Sequence, residues 1–279
     1  MPTLNDNELA ALFSLPPKRA IAYLKAKGFT FSWDWRDVWQ AAHAQSATVA
    51  KVTQLDILQD MYQALETTLA EGKTGQWFAR ELTPTLQAKG WWGQQDTHDP
   101  VSGEPVTVQL GSPQRLETIY RTNLTTLYNA GRWAEMRENV AARPYWMYVA
   151  IRDNRTRKSH LALHGRVFPA DDPVWRALYP PNGWRCRCSV IALSARDVNA
   201  RGLTVETSGD RLRWSLQVVS RKTGEMQPVA QLTLDNHTVF SPDIGWSYNP
   251  GEGYRPDLTR YQGPLHPLAR QTLGERNDR

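Results

Sequence analysis

The sequence predicts an α+β fold: a helical N-terminal half followed by a mixed α+β domain with a small antiparallel sheet and an irregular C-terminal arm. Three observations carry this. Between 46 and 141 apolar residues recur every three or four positions, after Pro144 the period drops to two, and from about 241 Pro, Gly and aromatic residues follow without a period. The expected division is a helical region over 1–92, a loop or linker over 93–111, an α+β core over 112–240 and the arm over 241–279. With 41% hydrophobic residues and 12 Trp in 279 positions, the chain can fill a core without staples.

Residues 6–28 read as short helices around Pro16-Pro17, because Ala20, Ile21, Tyr23 and Leu24 keep helical spacing before Gly28 stops the run. The stretch "FTFSWDWRDVWQAAH" then packs Trp33, Trp35 and Trp39 into seven positions, the mark of a packing anchor. From 46 to 71 the series Val49, Val52, Leu55, Leu58, Met61, Leu65 and Leu69 predicts one long amphipathic helix, with Gly72 as its C-terminal stop. A second helix over 76–89 carries Trp77, Phe78, Leu82 and Leu86, and Pro84 is expected to bend or split it before "GWWG". Residues 93–111 are polar and rich in turn formers, hence the linker. Ser112-Pro113 starts a helix that Leu116, Ile119, Tyr120, Leu124, Leu127 and Tyr128 continue to about 141.

After Pro144, Tyr145, Met147, Val149 and Ile151 alternate with Trp146, Tyr148, Ala150 and Arg152, which predicts a strand covered on both faces. Alternation at 203–207, at Leu212, Trp214, Leu216 and Val218, and at Ala230, Leu232 and Leu234 predicts an antiparallel meander, with turns at Ser208-Gly209-Asp210 and Lys222-Thr223-Gly224. The stretch "SPDIGWSYNPGEGYRPDLTRY" reads as an arm that orders on what it packs against.

Composition excludes several classes. The opening "MPTLNDNELAALF" lacks the basic-then-apolar order of a secretory signal, and no run approaches the roughly 18 apolar residues of a membrane span, so a soluble protein made in the cytoplasm and without membrane partners is expected. The two cysteines, Cys186 and Cys188, are one residue apart. A disulfide between them would close a small strained ring, so reduced thiols are expected. A net charge of +5 is compatible with a nucleic-acid or acidic-protein neighbour and by itself demands none.

The chemistry-bearing residues gather in 152–188: Arg152, Asp153, Arg155, Arg157, His160 and His164 in "RDNRTRKSHLALHGRVF", then Cys186 and Cys188 in "YPPNGWRCRCSV". His160 and His164, four apart, can share one face of a helical turn, and the two thiolates complete a candidate zinc set. The alternative is two small buried thiols and two hydrogen-bonded histidines. A hydrolase reading makes His160 or His164 a base with Asp153 or Cys186 as its partner. Arg152, Arg155, Arg157, Arg166, Arg185 and Arg187 suit either a phosphate-binding surface or Arg–Asp pairs. No phosphate-cradling glycine loop, nucleophile elbow or metalloprotease helix occurs.

The order of the motifs adds a resemblance. "VAKVTQLDILQDMYQALETTLAEG", "LQAKGWWG", "SPQRLETIYRTNLTTLYNAGRW", "PYWMYVAIRDNRTRKSHLALHGRVF", "DDPVWRALYPPNGWRCRCSV" and "FSPDIGWSYNPG" together resemble the Mu F-like family of phage minor head, or head morphogenesis, proteins over roughly 15–250. The most specific parts are Arg121 of the "RTN" helix, the run Asp153, Arg155, Thr156, Arg157 and His160 with Gly165 after it, and the turn holding Pro180, Pro181, Cys186, Arg187 and Cys188. Position 164 varies in the family, where aspartate is common.

The resemblance implies that these residues form a structural core motif with no catalytic role, in a low-copy virion component at the capsid interior or portal vertex. It implies work in head assembly near the portal and in DNA packaging or delivery. The implied partners are the portal or major capsid protein and packaged double-stranded DNA. The rival readings are a nuclease- or toxin-like effector enzyme and a zinc-stapled nucleic-acid-binding module. Domains of this family occur attached to toxin modules, so an effector reading expects a further globular segment, and none is expected within these 279 residues.

Overall fold

The computed structural model describes residues 49–252, apart from 53, 100–102, 222 and 236–237, together with 19–21, 24, 28–29 and 46–47. The Trp33, Trp35 and Trp39 cluster lies outside the described residues, as do 253–279 of the arm. The fold is α+β, in two packed halves. The short strands β1 (Gly28–Phe29) and β2 (Ser46–Ala47) pair in parallel.

The first half packs three helices around one core. Helix α1 (Leu55–Glu71) buries Ile57, Leu58, Met61, Ala64, Leu65, Thr68 and Leu69 on one stripe, and Gly72 ends it at φ 65°, a left-handed cap that Gly adopts at low cost. The helix starts nine residues later than its apolar spacing predicts, because 46–47 belong to β2 and 50–52 to a turn and a bridge at Val52. Helix α2 (Gly75–Ala88) is capped by Thr74, whose side chain accepts from the Trp77 amide. It runs unbroken through Pro84, contrary to expectation. Pro84 sits on the exposed face about one turn from the end, where water can serve the carbonyl that loses its partner.

The expected linker over 93–111 is instead a hairpin of β3 (Gln94–His98) and β4 (Pro105–Gln109), antiparallel in register Gln94 to Gln109. Its outer face is polar, which hides it from an apolar-pattern reading, while Val108 and Leu110 on the inner side join the helical core. Helix α3 (Pro113–Glu138) begins at Ser112, which accepts from the Arg115 amide, and its 26 residues span about 39 Å. Leu116, Ile119, Leu127 and Ala130 bury in the first core, and Met136 buries in the second.

The second half centres on a three-stranded antiparallel sheet, β6 (Val167–Pro169), β5 (Tyr145–Val149) and β7 (Ser189–Leu193), with β5 in the middle. Both faces of β5 are covered, as its alternation predicts. Trp146 and Tyr148 enter the main core with Phe168, Trp175 and Tyr179, while Met147 and Val149 meet Val167 and Val198 on the other side. Short helices α4 (Lys158–Leu163), α5 (Val174–Leu178) and α6 (Ala195–Ala200) fill the connections. Residues 203–207 form no strand. Only Val205 bridges, to Val167.

A meander of β8 (Leu212–Val218), β9 (Met226–Thr233) and β10 (Val239–Phe240) follows, ordered β10-β9-β8. Its apolar face is buried at one end by Leu232 and Phe240 and exposed at the other, where Trp214, Leu216 and Val218 stand beside Met226. Residues 241–252 are irregular and yet buried through Trp246, Ser247, Tyr248 and Asn249. No helix among the described residues is long and apolar enough to cross a membrane.

Candidate functional site

The segment 153–160, which leads into helix α4, and the loop 180–188 close on each other at three points, through contacts 26 to 34 residues apart in sequence. At the first, Arg187 forks onto Asp153, donating from Nη1 to Oδ2 at 2.8 Å and from Nη2 to Oδ1, and Nη2 also donates to Thr156 Oγ1 at 3.0 Å. Asp153 accepts the Arg155 amide at 3.0 Å and the Thr156 hydroxyl at 3.2 Å, so one carboxylate both shapes its own turn and holds the loop. The Arg187 guanidinium is the main cause that holds the Asp153 carboxyl well below the usual carboxylate range.

At the second point Arg157 donates from Nη2 to the Trp184 carbonyl at 3.0 Å and pairs through Nη1 with Asp243 at 2.9 Å. Gly183 lies against this pair: a Cβ there would sit 2.2 Å from Asp243 Oδ2 and 2.5 Å from Arg157 Nη1. The loop backbone can approach only because position 183 has no side chain.

At the third point the His160 ring, buried and edge-on to Phe240, brings Nδ1 to 3.6 Å from Cys186 Sγ and 3.5 Å from Cys188 Sγ. Its Nε2 faces Arg157 Nη1 at 3.4 Å. The cysteines are unbridged and buried. Burial disfavours the Cys186 thiolate, but hydrogen bonds with Cys188 and His160 outweigh it and set that thiol well below its ordinary value. The same contact with Cys186, reinforced by burial, pushes Cys188 well up. Two adjacent sulfurs thus share their ionisation and titrate as a pair.

The floor of this cluster comes from residues that the sequence motifs did not single out. Tyr148 on β5 donates to Asn182 Oδ1 at 2.7 Å, and burial, then the neighbouring thiols, push its hydroxyl well up. Asn182 donates to the Leu178 carbonyl, and its own carbonyl accepts from the Asp243 amide at 3.0 Å. Asn129 on α3 donates to the Cys188 carbonyl at 3.2 Å and accepts from Ser189 Oγ, tying the first half's long helix to the loop. Each is a long-range pairing of a common polar residue, which no local spacing announces.

The remaining motif residues divide. The Pro180-Pro181 peptide is cis and both prolines are buried before the loop, while Gly165 turns the chain at φ 81° and its amide donates to Tyr148 O. His164 is not part of the cluster, which corrects the four-ligand expectation. Helix α4 ends at Leu163 and His164 sits in the turn that follows, at φ −58° and ψ 128°, so four-residue spacing does not put both rings on one face. Its Nδ1 instead accepts the Ala150 amide at 3.1 Å. Burial, with the Arg152 charge, lowers its pKa. Arg121 lies on α3 in an exposed pair with Glu117, and Arg155 is exposed beside Asp153. Arg152 and Arg185 are exposed, whereas Arg166 pairs with Glu206 at 2.8 Å and with Asp235, so the arginines form no single phosphate-facing row.

The hydrolase geometry is also unfavourable. Asp153 is spent on Arg187, and the ring nitrogens of His160, a residue 3% exposed, meet only the two sulfurs and Arg157 among the contacts described above.

Comparison with known proteins supplies the family. Residues 59–191 match the model of the phage Mu protein F like proteins, a span that holds both halves of the clamp. The capsid assembly protein F of Escherichia phage Mu is 44% identical over 248 residues, 88% of this chain and 56% of that protein. The Mu-like prophage FluMu F protein of Haemophilus influenzae is 43% identical over 224 residues, 79% of this chain and 53% of that protein. The chain spans about half the length of the curated relatives it matches. No solved structure matches it. With its clamp inside the matched span and its identity to both F proteins extending well beyond it, the chain belongs to the Mu F-like family of phage proteins.

Proposed function

We propose that this chain is a minor head protein, a low-copy virion component built in during head assembly near the portal, and not an enzyme. The observation that carries the reading is the 44% identity, over 88% of the chain, to a protein named for capsid assembly. The site supports it, because the motif residues spend their polar atoms on one another and hold two backbone segments together, leaving a rigid body that presents surfaces.

The surface best suited to a head partner is the outer end of the meander. Trp214, Leu216, Val218 and Met226 lie on one face of β8 and β9, between 47% and 63% exposed, and β8 is an edge strand with no further partner among the described residues. This face carries no Lys or Arg, so it suits a protein partner, which we take to be the portal protein, better than packaged DNA. Portal docking by this face accounts for a location at the portal vertex and leaves DNA packaging or delivery as a consequence of position.

Mass spectrometry of purified particles tests both parts. The wild-type chain is expected in heads at low copy relative to the major capsid protein. The double variant Trp214→Ser with Leu216→Ser is expected to fall about tenfold or more in incorporation while keeping its thermal midpoint, as losing a central aromatic anchor does. Absence of the wild-type chain from particles overturns the head reading, and unchanged incorporation of the variant overturns the docking face alone.

A further inference from the structure

We propose that His160, Cys186 and Cys188 form a zinc site, a three-donor staple that fastens α4 to the returning loop. The inference does not rest on the head role and would stand without it.

The three donor atoms lie within 4.8 Å of one another, and they are the only such His, Cys, Asp or Glu group among the described residues. The decisive point is the length of the two nitrogen–sulfur edges. A tetrahedral zinc with Zn–S near 2.3 Å and Zn–N near 2.0–2.1 Å sets its nitrogen and sulfur ligands about 3.6 Å apart. Here Nδ1 lies 3.6 and 3.5 Å from the two sulfurs. Both nitrogen–sulfur edges already have the length that a shared tetrahedral zinc requires, and the third edge, between the sulfurs, lies within 4.8 Å. Two thiolates and one imidazole form a soft-to-borderline set that prefers zinc to magnesium or calcium. Two thiolates also neutralise the dication in a place where the sulfurs are 7% and 3% exposed residues.

The surroundings say what loading would change. A metal on Nδ1 places the ring proton on Nε2, where Arg157 Nη1, a permanent donor, now faces it at 3.4 Å. Arg157 gives up that contact and keeps its ion pair with Asp243 and its bond to the Trp184 carbonyl. The protein supplies three ligands, and the fourth position falls to a small donor such as water. His164 takes no part, since its ring lies outside the three-donor group and its Nδ1 holds the Ala150 amide.

The test uses the full chain, purified reduced and without chelator. Elemental analysis is expected to find one zinc per chain. Titration of the stripped protein with cobalt(II) is expected to give thiolate-to-cobalt charge-transfer absorption that zinc then displaces. Cys186→Ser and Cys188→Ser should each bind at least tenfold more weakly, while His164→Ala should bind as wild type does. If the serine variants fail to fold, the wild type alone decides: chelation should lower its thermal midpoint by several degrees and added zinc should restore it. A folded, reduced wild-type chain with negligible zinc and no cobalt charge-transfer band overturns the proposal. So does a His164→Ala variant that folds and has lost the metal.

Discussion

The Asp153 carboxylate accepts from Arg187, Thr156 and the Arg155 amide, and all of these donors favour its charged form. A carboxyl whose pKa is depressed in the fold adds stability that is fully present above its ordinary value, near 3.9, and is lost as pH falls below that toward the folded value. Asp153→Asn keeps the side-chain shape and removes the charge, so its thermal midpoint should lie below that of the wild type at pH 6, with the gap closing as pH falls from about 4 toward 3. Thermal scans of both proteins across that range check this. A gap that stays constant would show that the pairing with Arg187 contributes through shape and not through charge. The same residue shows why Arg187 and not Lys stands between the two cysteines. Only a planar fork can hold both carboxylate oxygens and still reach Thr156 Oγ1.

The stretch 241–252 has neither helix nor strand, so its order must come from packing, and Gly251 is one of the contact points. A Cβ at 251 would lie 2.5 Å from Trp133 Cδ1 and Cγ, on an indole held edge-on between Trp146 at 4.9 Å and Tyr179 at 5.0 Å. That ring can yield only by disturbing its contacts with Trp146 and Tyr179. Gly251→Ala should therefore cost about 1–3 kcal/mol by overpacking, measured as a shifted urea midpoint, and a change below about 0.5 kcal/mol, the size of an ordinary surface substitution, would show that the stretch can lift off the aromatic cluster. Helices α1 and α3 were legible because their signals are local: apolar spacing, a Ser112 cap, a Gly72 stop. The β3–β4 hairpin was not, since β3 reads "QQDTH" with no apolar residue and only every second residue of β4 meets the core. At the site, His160, Cys186 and Cys188 were legible as chemistry and illegible as geometry. The place of His164 is not legible from spacing, because α4 ends at Leu163, one residue before it, and Tyr148, Asn129, Asn182 and Asp243 reach the clamp from elements whose meeting only the fold decides.

Across the whole molecule, α3 is the element that both cores share, with Leu116, Ile119, Leu127 and Ala130 in one, Met136 in the other, and Asn129 bonded to the Cys188 carbonyl between them. The two halves therefore do not have independent stabilities. Leu127 is wholly buried in the first core, and Leu127→Ala should cost about 2–5 kcal/mol through lost transfer energy and the cavity left behind. If α3 frays from its first half, its Asn129 contact and the Trp133 and Met136 packing lose their support. The destabilisation should then appear in the second half as well as the first. Hydrogen exchange resolves this by segment. In Leu127→Ala, protection should drop by a similar factor in α1 and α2 and in β5 and β7, none of which the substitution touches in the second core. Protection lost in α1 and α2 alone, with β5 and β7 as slow as in the wild type, would mean that the second half holds its clamp without the first. In that case the long helix would be a connector between two separately stable bodies and not a shared spine.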